Sequence, residues 1–331
     1  MPDQAEKLSF GDSIRKNLQG RRLLYLIPVL LLTLGIPGTQ SAFLMSVFII
    51  AGFFVVMAIP YNLLFGYAGE PSLAHIALFG LGAYAVAILT TRVGLSPWLA
   101  IPIACIFTLI ISWPLATVCF RVSGFVFFLV TLSFAHIAQL MVLNWTDLTG
   151  GYSGIARIPH LTLFDFDITT STLAYYFLVL FAILIAGIVT YRAVNSKFGR
   201  ALNAIREDPL VAESVGINTK NYKTAAFMIG GLFAGLGGSL YALYFSFVSY
   251  NLLGFDYGVF ILAAVFVGGR LRVFGPAVGV YLLMFLTEYL RFLQGYRLLI
   301  YGMILILCVV FFKAGIVDAV ERVMNRLRGK K

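Results

Sequence analysis

Three stretches of this 331-residue chain have residue types and spacing that could serve a function: two carry polar side chains that could contact a solute, and one could dock another protein. The first, Phe65–His75, places Glu70, Ser72 and His75 among two glycines and a proline at the edge of an apolar run. This composition predicts broken, non-helical backbone, which survives at membrane depth only where protein or a water-filled cavity covers it. Ser72 is a candidate N-cap for the following helix. Two interpretations stay open: the segment lines a pathway, or it is a turn with a solvated Glu70.

The second stretch is Gly124–Trp145, where Thr131, Ser133 and His136 interrupt an otherwise apolar helix. Polar groups within membrane spans generally face the bundle and often have a function. Hydroxyl groups there also bond backbone carbonyls or a neighbouring helix. For His136 the alternatives are a pathway residue and a hydrogen-bonded core histidine.

The third stretch, Ser196–Asn218, predicts a short helix with clear start and stop signals. Asp208 is an N-cap candidate, Pro209 takes the favoured first position, and Gly216 follows the end. The helix would expose an apolar face made of Leu210, Val211 and Val215. Such a face favours docking into a groove on another protein. The alternative is a helix packed back on the bundle or on lipid headgroups.

Several catalytic patterns are missing from the sequence. It has no G-x-x-x-x-G-K-[ST] phosphate loop, so we do not expect the chain to bind and hydrolyse ATP itself. It also has no metal-spaced His, Cys and carboxylate cluster, no convincing nucleophile elbow and no paired charges typical of a proton relay. These absences predict a protein that is not an enzyme and that has no cofactor or metal of its own.

The elements that position these stretches follow from composition. The chain is 60% hydrophobic and 11% charged, with a mean hydropathy of +0.94. One bilayer crossing takes about 20 apolar residues in a helix, and the apolar runs are too long for a barrel. We therefore predict an all-α polytopic membrane protein, which excludes a soluble enzyme or a nucleic-acid binder despite the net charge of +10. About ten transmembrane helices are expected, at 22–36, 41–60, 72–91, 97–119, 123–145, 172–193, 223–247, 255–268, 274–292 and 297–313.

The sidedness follows from the basic residues. With ten helices, 20 of the 24 Lys and Arg residues fall on one side, and only Arg92, Arg157, Arg291 and Arg297 fall on the other. Because Lys and Arg collect in cytoplasmic loops, both termini are predicted to be cytoplasmic. The domains are then a cytoplasmic arm at 1–21, a transmembrane domain at 22–313 with a cytoplasmic loop at 194–222, and a basic cytoplasmic tail at 314–331. Two inverted five-helix halves are a further expectation, because inverted repeats are common in transporters.

Small residues recur at helical spacing in the seventh and ninth predicted spans. Gly231-x-x-x-Gly235 and Gly230–Ala234–Gly238 lie in the seventh, and Gly275-x-x-x-Gly279 begins the ninth. These stripes predict close approach of helix backbones.

Taken together, these motifs resemble the permease subunits of ABC importers for branched-chain amino acids, the LivM-like family. The matching stretches run in the family's order over most of residues 60–315: Gly66–His75, Gly80–Tyr84, Val130–Ala135, Thr149–Gly151, Phe198–Leu202, Ala204–Asp208, Glu213–Asn218 and Arg297–Gly302. Two positions depart from the family's usual pattern, Glu70 and Ala74.

The resemblance implies a subunit of the bacterial cytoplasmic (inner) membrane that works with two ABC ATPase subunits, a second LivH-like permease and an extracytoplasmic solute-binding protein. ATP would be bound by the partner subunits. The ATPases would dock on the segment that holds Arg206, Glu207, Asp208, Pro209, Glu213 and Gly216. The candidates for lining the path are Glu70, Ser72, His75, Thr131, Ser133 and His136.

The substrate stays open at this point. Branched-chain amino acids are the leading expectation, and the same type of subunit could import urea, short amides or other amino acids. A rival from another class is an ion-coupled secondary transporter that works without an ATPase.

Overall fold

The structure is a computed structural model that describes residues 42–163, 166–289 and 302–303. The predicted arm at 1–21, the first span at 22–36, almost all of the tenth at 297–313 and the tail at 314–331 lie outside these residues. The chain divides into two compact units, Met1–Ser46 and Val47–Lys331. Only residues 42–46 of the first unit are described, and they belong to the first helix.

The described chain is mostly helical. Its helices are α1 (Ala42–Asn62), α2 (Ala74–Thr91), α3 (Pro97–Cys119), α4 (Gly124–Asn144), α5 (Thr146–Thr149), α6 (Thr172–Val194), α7 (Lys197–Glu207), α8 (Pro209–Ser214), α9 (Thr219–Phe245), α10 (Phe255–Gly268) and α11 (Gly275–Tyr289). A π turn at Leu63–Tyr67 follows α1, and 3-10 turns lie at Gly151–Ser153 and Tyr250–Leu253. The strands are β1 (Ile155–Ala156), β2 (Thr162–Leu163), β3 (Phe166–Asp167) and β4 (Phe247–Val248).

Six of these helices are long and apolar enough to cross a membrane: α1 with its π turn, α2, α3, α4, α6 and α9. The bounds of the six helices differ from the predicted spans by at most four residues. Two shorter apolar helices, α10 and α11, begin within one residue of the predicted starts. Length and hydrophobicity therefore located the helices well, because a lipid-spanning segment must be both helical and apolar.

The core of the second unit is built on three central helices. About 72% of the most apolar window is buried in α1, α2 and α9, against 28% in α3 and α4. The outer helices consequently present many large apolar side chains at the surface, as expected for helices that face lipid or another membrane subunit.

Small residues let α9 approach its neighbours closely. A Cβ on Gly238 would lie 1.9 Å from the carbonyl oxygen of Phe79 in α2, and a Cβ on Gly235 would lie 2.2 Å from Thr108 Oγ1 in α3. Likewise, a Cβ on Gly279 in α11 would lie 1.8 Å from the carbonyl oxygen of Ala264 in α10. The glycine stripes are thus packing surfaces, as the sequence predicted.

The bundle has two distinct ends. The basic end carries the α1–α2 break, the α3–α4 turn, the 195–218 loop and the α10–α11 turn. The loop end carries residues 145–171 and 246–254, which are joined by the antiparallel pair of β1 and β4. Trp98, at the start of α3, donates from Nε1 to the carbonyl oxygen of Thr162 over 2.8 Å and fixes the loop against the bundle.

Candidate functional site

The predicted break between α1 and α2 is present. The π turn ends at Tyr67, Gly69 has a φ of +80°, and α2 begins only at Ala74. Ser72 is not the N-cap, because that position falls on Leu73. The Ser72 N–H donates to the hydroxyl of Tyr61 in α1 over 3.0 Å, which keeps Ser72 outside the helix. Its Oγ still accepts the N–H of Ala74 over 3.2 Å.

Side chains complete the backbone hydrogen bonding of the break. Thr131 Oγ1 in α4 accepts the N–H of Leu73 over 3.3 Å and donates to the carbonyl of Phe128 over 2.9 Å. The first N–H groups of a helix have no partner within it, and a buried N–H needs one. Thr131 and Ser72 therefore stabilise the start of α2, and both are buried.

His75 lies inside the same network and is only 1% exposed. Its Nε2 lies 3.3 Å from the carbonyl oxygen of Phe227 in α9, and its Nδ1 lies 3.3 Å from Ser72 Oγ. A carbonyl can only accept, so Nε2 carries the hydrogen and Nδ1 accepts from the serine hydroxyl. A Cβ on Gly230 would lie 2.6 Å from Nε2, so glycine is what makes room for the ring.

Glu70 is not solvated. Its carboxylate Oε1 lies 2.6 Å from Nζ of Lys223 in α9, and the two side chains are only 9% and 10% exposed. The interpretation of a solvated turn is therefore wrong, because this carboxylate is buried in an ion pair. Burying two charges is costly, and removing one partner of such a pair leaves an uncompensated charge.

The break also contacts the α10–α11 turn. Asn62 Nδ2 donates to the carbonyl of Arg272 and the Tyr67 hydroxyl donates to that of Leu271, both over 3.0 Å. Gly66 lies so close to this turn that a Cβ there would be 1.9 Å from the carbonyl oxygen of Arg270. Glycine is required at that position by the close approach.

The predicted short helix in the 195–218 loop is present as α8. Asp208 Oδ1 accepts the N–H groups of Leu210 and Val211 over 2.8 and 3.2 Å, and Pro209 is the first helical residue. Gly216 follows the end with a φ of +85°, where glycine is favoured. The exposed apolar face consists of Leu210 and Val211 of α8 and of Val215 directly after it, which are 77%, 60% and 71% exposed, whereas Ala212 on the opposite side is buried. These three side chains therefore do not pack back on the described bundle, which was the alternative interpretation.

The preceding helix, α7, behaves differently. It buries Gly199, Ala201, Leu202 and Ile205. One side of α7 is therefore packed against the protein, and α7 holds α8 at the surface. The two helices share Asp208, which is the C-cap of α7 and the N-cap of α8.

A cavity of about 990 Å³ opens at the basic end and collects most of these groups. Five of the six predicted ATPase-coupling residues line it, namely Arg206, Glu207, Asp208, Pro209 and Glu213, and so does Glu70. Gly216 is not among the lining residues. Among the other predicted pathway residues, Ser72, His75 and Thr131 lie in the buried network behind this cavity.

A second cavity, of about 600 Å³, opens at the loop end. His136 lines it together with Gln139 of the same helix, and the His136 side chain is exposed rather than buried. Its other polar lining residues are Asn251, Asp256, Thr287 and Glu288, and its aromatic ones are Phe54, Tyr241, Phe245, Phe255, Tyr257 and Phe260. Ser133 lines neither cavity; it is exposed, and its hydroxyl donates to the carbonyl of Leu129 over 2.9 Å.

Comparison with known protein families identifies the family of this chain. The model of the branched-chain amino acid transport system / permease component family matches residues 43–309. The chain belongs to this family. It is a transmembrane permease subunit of an ABC importer and a multi-pass protein of the bacterial inner membrane.

Individual relatives agree with the family. The chain is 27% identical over 318 residues to the high-affinity branched-chain amino acid transport system permease protein LivM of Escherichia coli K12, covering 89% of this chain and 75% of the relative. It is 24% identical to LivM of Methanocaldococcus jannaschii, covering 69% and 76%. It is also 24% identical to LivH of Escherichia coli K12, covering 68% and 78%. No solved structure matches the chain.

One residue of this permease site escaped the sequence prediction. Lys223, which stands at the first position of the predicted span 223–247, is buried against Glu70 within α9, which begins four residues earlier than predicted. The available signal was a lysine at the start of an apolar span together with a carboxylate in a broken segment. Buried charges in membrane proteins generally pair with one another.

Proposed function

We propose that this permease subunit carries branched-chain amino acids inward, driven by ATP that partner subunits bind and hydrolyse. The names of its LivM and LivH relatives and the description of its family support this substrate over urea, short amides or other amino acids. The same membership argues against an ion-coupled secondary transporter. The sequence has no phosphate loop, which supports a subunit without an ATPase site or cofactor of its own.

The proposed assembly contains two ABC ATPase subunits, a second LivH-like permease and an extracytoplasmic solute-binding protein. Similarity to both LivM and LivH supports two related permeases side by side. The apolar surfaces of α3 and α4 offer area for such a partner or for lipid.

The observation that carries the coupling proposal is the exposed apolar face of α8. A capped six-residue helix with two protruding aliphatic side chains, and a third on Val215 directly after it, matches the helix-in-groove mode of recognition. We place the ATPase contact on α8 and on the residues that hold it, Arg206 to Pro209, Glu213 and Gly216.

The loop-end cavity is our candidate for the first site that the solute enters. Its volume lies within the range of small-molecule pockets, roughly 300–1,000 Å³. Aromatic rings such as Phe54 and Tyr257 suit a branched aliphatic side chain, and Asp256 and Gln139 offer polar contacts to the charged ends of an amino acid. Glu70, Ser72, His75 and Thr131 are proposed for the path nearer the basic end, with Ser133 and His136 on α4.

For the topology we propose ten transmembrane helices with both termini in the cytoplasm, in two inverted five-helix halves. The basic end of the bundle is then cytoplasmic and the loop end faces outward. The arm at 1–21 and the tail at 314–331 would lie on the cytoplasmic side.

The coupling proposal is tested by placing a charge on α8. Val215→Asp should lower recovery of the ATPase subunits with the affinity-purified permease complex at least tenfold, because a carboxylate would enter an apolar groove. Val93→Asp is the matched control, since Val93 is 62% exposed at the other end of the bundle. Equal recovery of the ATPases with both variants would remove α8 from the interface.

A further inference from the structure

Two charged residues, one on either side of α8, contact the same short irregular segment, one through its backbone and one through a side chain. Arg206, at the end of α7, donates from Nη1 to the carbonyl of Gly66 over 3.4 Å. Its side chain also covers Gly69, where a Cβ would lie 3.0 Å from Arg206 Cγ. Lys223, in the second turn of α9, pairs with Glu70 over 2.6 Å. Both flanks of the loop that carries α8 therefore reach the Gly66–Glu70 segment.

The connections from α8 to these two residues are short and hydrogen-bonded. On one side, Asp208 donates its N–H to the carbonyl of Ala204 and caps α8 with its carboxylate. On the other side, the Thr219 hydroxyl donates to Glu213 Oε1 over 2.5 Å, which ties the end of α8 to the first turn of α9. Because these hydrogen bonds hold α8 to both neighbouring helices, a displacement of α8 should move Arg206 and Lys223 with it.

The two attachments differ in strength. The Arg206 attachment is one 3.4 Å hydrogen bond to the Gly66 carbonyl, and the guanidinium is shared with Glu207, whose side chain is 73% exposed. The Glu70–Lys223 pair is about nine-tenths buried, and charges interact more strongly away from water. One turn further along α9, the carbonyl of Phe227 accepts from His75, so α9 holds the break at two points.

We propose that Glu70 and Lys223 are positioning residues that transmit movement of α8 to the break between α1 and α2, with Arg206 on Gly66 as a second, weaker attachment. The break then moves with the ATPase-docking helix, and α1 and α2, which are central in the bundle, follow it. This inference rests on the proposed function, because it assumes that ATPases bind α8 and that leucine is transported.

The test removes both charges together, so that no unpaired charge is left buried. Glu70→Gln combined with Lys223→Met is introduced into the complete importer, which is reconstituted in liposomes with its ATPases and solute-binding protein. Three quantities are measured: recovery of the ATPases, the rate of ATP hydrolysis, and uptake of radiolabelled leucine. We expect assembly and hydrolysis to persist while leucine imported per ATP hydrolysed falls at least tenfold.

Lys220→Gln is the matched control, because Lys220 lines the same cavity one turn earlier but is exposed. It should keep the wild-type ratio of leucine to ATP. If the double variant also keeps that ratio, the ion pair serves stability alone and the inference is overturned. If the double variant does not assemble, Arg206→Gln decides: a threefold or greater loss of leucine per ATP with ATPases still bound supports the inference, and an unchanged ratio overturns it. A wild-type complex that imports no leucine would instead overturn the proposed function.

Discussion

At the scale of single residues, His75 and His136 have contrasting environments. The ring of His75 is enclosed by Tyr61 and Phe227, with centroid distances of 4.8 and 4.5 Å, and both of its nitrogens have partners. His136 lies in a cavity wall, and its ring stacks loosely on that of Phe255 with a centroid distance of 6.4 Å. The buried ring of His75 can meet a solute only after the surrounding helices rearrange, whereas the exposed ring of His136 already lines an open cavity.

We therefore expect His136→Leu to lower ATP-driven leucine uptake several-fold while recovery of the ATPases stays at the wild-type level. Loss of a polar contact to the solute is the physical reason, and transport assays on reconstituted complexes would measure it. Ser133→Ala tests the other proposed path residue of α4, and we expect a smaller loss of uptake, because the Ser133 hydroxyl bonds its own helix and lines neither cavity. Wild-type uptake by His136→Leu would make His136 a bystander in the cavity wall.

A second residue-scale prediction concerns pH and the loop at 146–171. Asp167 Oδ2 accepts from His160 Nδ1 over 2.8 Å, and Asp167 Oδ1 accepts from the N–H groups of Thr169 and Thr170. The hydrogen bond from His160, above all, lowers the pKa of the Asp167 carboxyl. Because the folded loop favours the ionised form, its contribution to loop stability is present above the ordinary aspartate pKa and is lost as pH falls through the lowered one.

Amide hydrogen exchange at Thr169 and Thr170, corrected for the intrinsic rate, should show protection at about pH 5 that declines below the usual aspartate range near 4. Asp167→Asn should remove most of that decline, because the side chain then no longer titrates. Identical pH profiles for the wild type and the variant would mean that Asp167 does not control the order of this loop.

At the scale of elements, the most local prediction concerns the N-cap of α8. Asp208→Ala removes the acceptor of two N–H groups and should destabilise the helix by about 0.5–2 kcal/mol. Since six residues are too few for a helix to be stable by itself, we expect several-fold weaker binding of the ATPases, measured by titration of the purified subunits.

Asp208→Asn keeps an oxygen that can accept the same two hydrogen bonds, so it should retain most of the affinity. Weakening by both variants to the same extent would point to a direct role of the carboxylate charge at the interface rather than to capping.

The helices and α8 were predictable because their signals are local. An apolar run of sufficient length has to be helical in lipid, and Asp208, Pro209 and Gly216 mark the start and the end of α8 within nine residues. The exposure of the α8 face followed from the same pattern, since no residue of its own loop could cover it.

The tertiary partners were not predictable in this way. Lys223 and Glu70 are 153 positions apart, and Thr131 meets Leu73 across 58. The hydroxyl or cation that contacts the broken segment is determined by how the helices pack. The glycine stripes predict how closely two helices approach, but they do not predict which side chains meet. Ser72 illustrates the limit, because Tyr61, which displaces it from the N-cap position, lies in another helix.

At the scale of the whole molecule, the two cavities lie at opposite ends of a bundle whose centre is packed by α1, α2 and α9. Buried side chains of α2 separate the two cavities, namely His75 with its network and Phe79, whose ring stacks on Phe54 in the wall of the loop-end cavity. A solute can therefore pass from one cavity to the other only if the helices of this packed centre rearrange. We expect ATP hydrolysis in the partner subunits to drive that rearrangement.

The direction of that transport depends on which end faces the cytoplasm. Arg92 and Arg157 are the basic residues of the loop end within the described chain, while the basic end has Arg121, Arg270, Arg272 and the 192–223 charges. Because basic loops stay in the cytoplasm, we expect the basic end to be inside. Single cysteines at Tyr152, which is 75% exposed at the loop end, and at Ser123, which is exposed in the α3–α4 turn, would report the two sides.

In a background with Cys105, Cys119 and Cys308 replaced by alanine, a membrane-impermeant maleimide should label Tyr152→Cys in intact spheroplasts. Ser123→Cys should react only after the membrane is permeabilised, because its turn then becomes accessible from the cytoplasmic face. The cysteine-free chain controls for background labelling. The reverse pattern would place α8 outside the cell, where no ATPase could reach it, and would contradict both the orientation and the coupling scheme built on it.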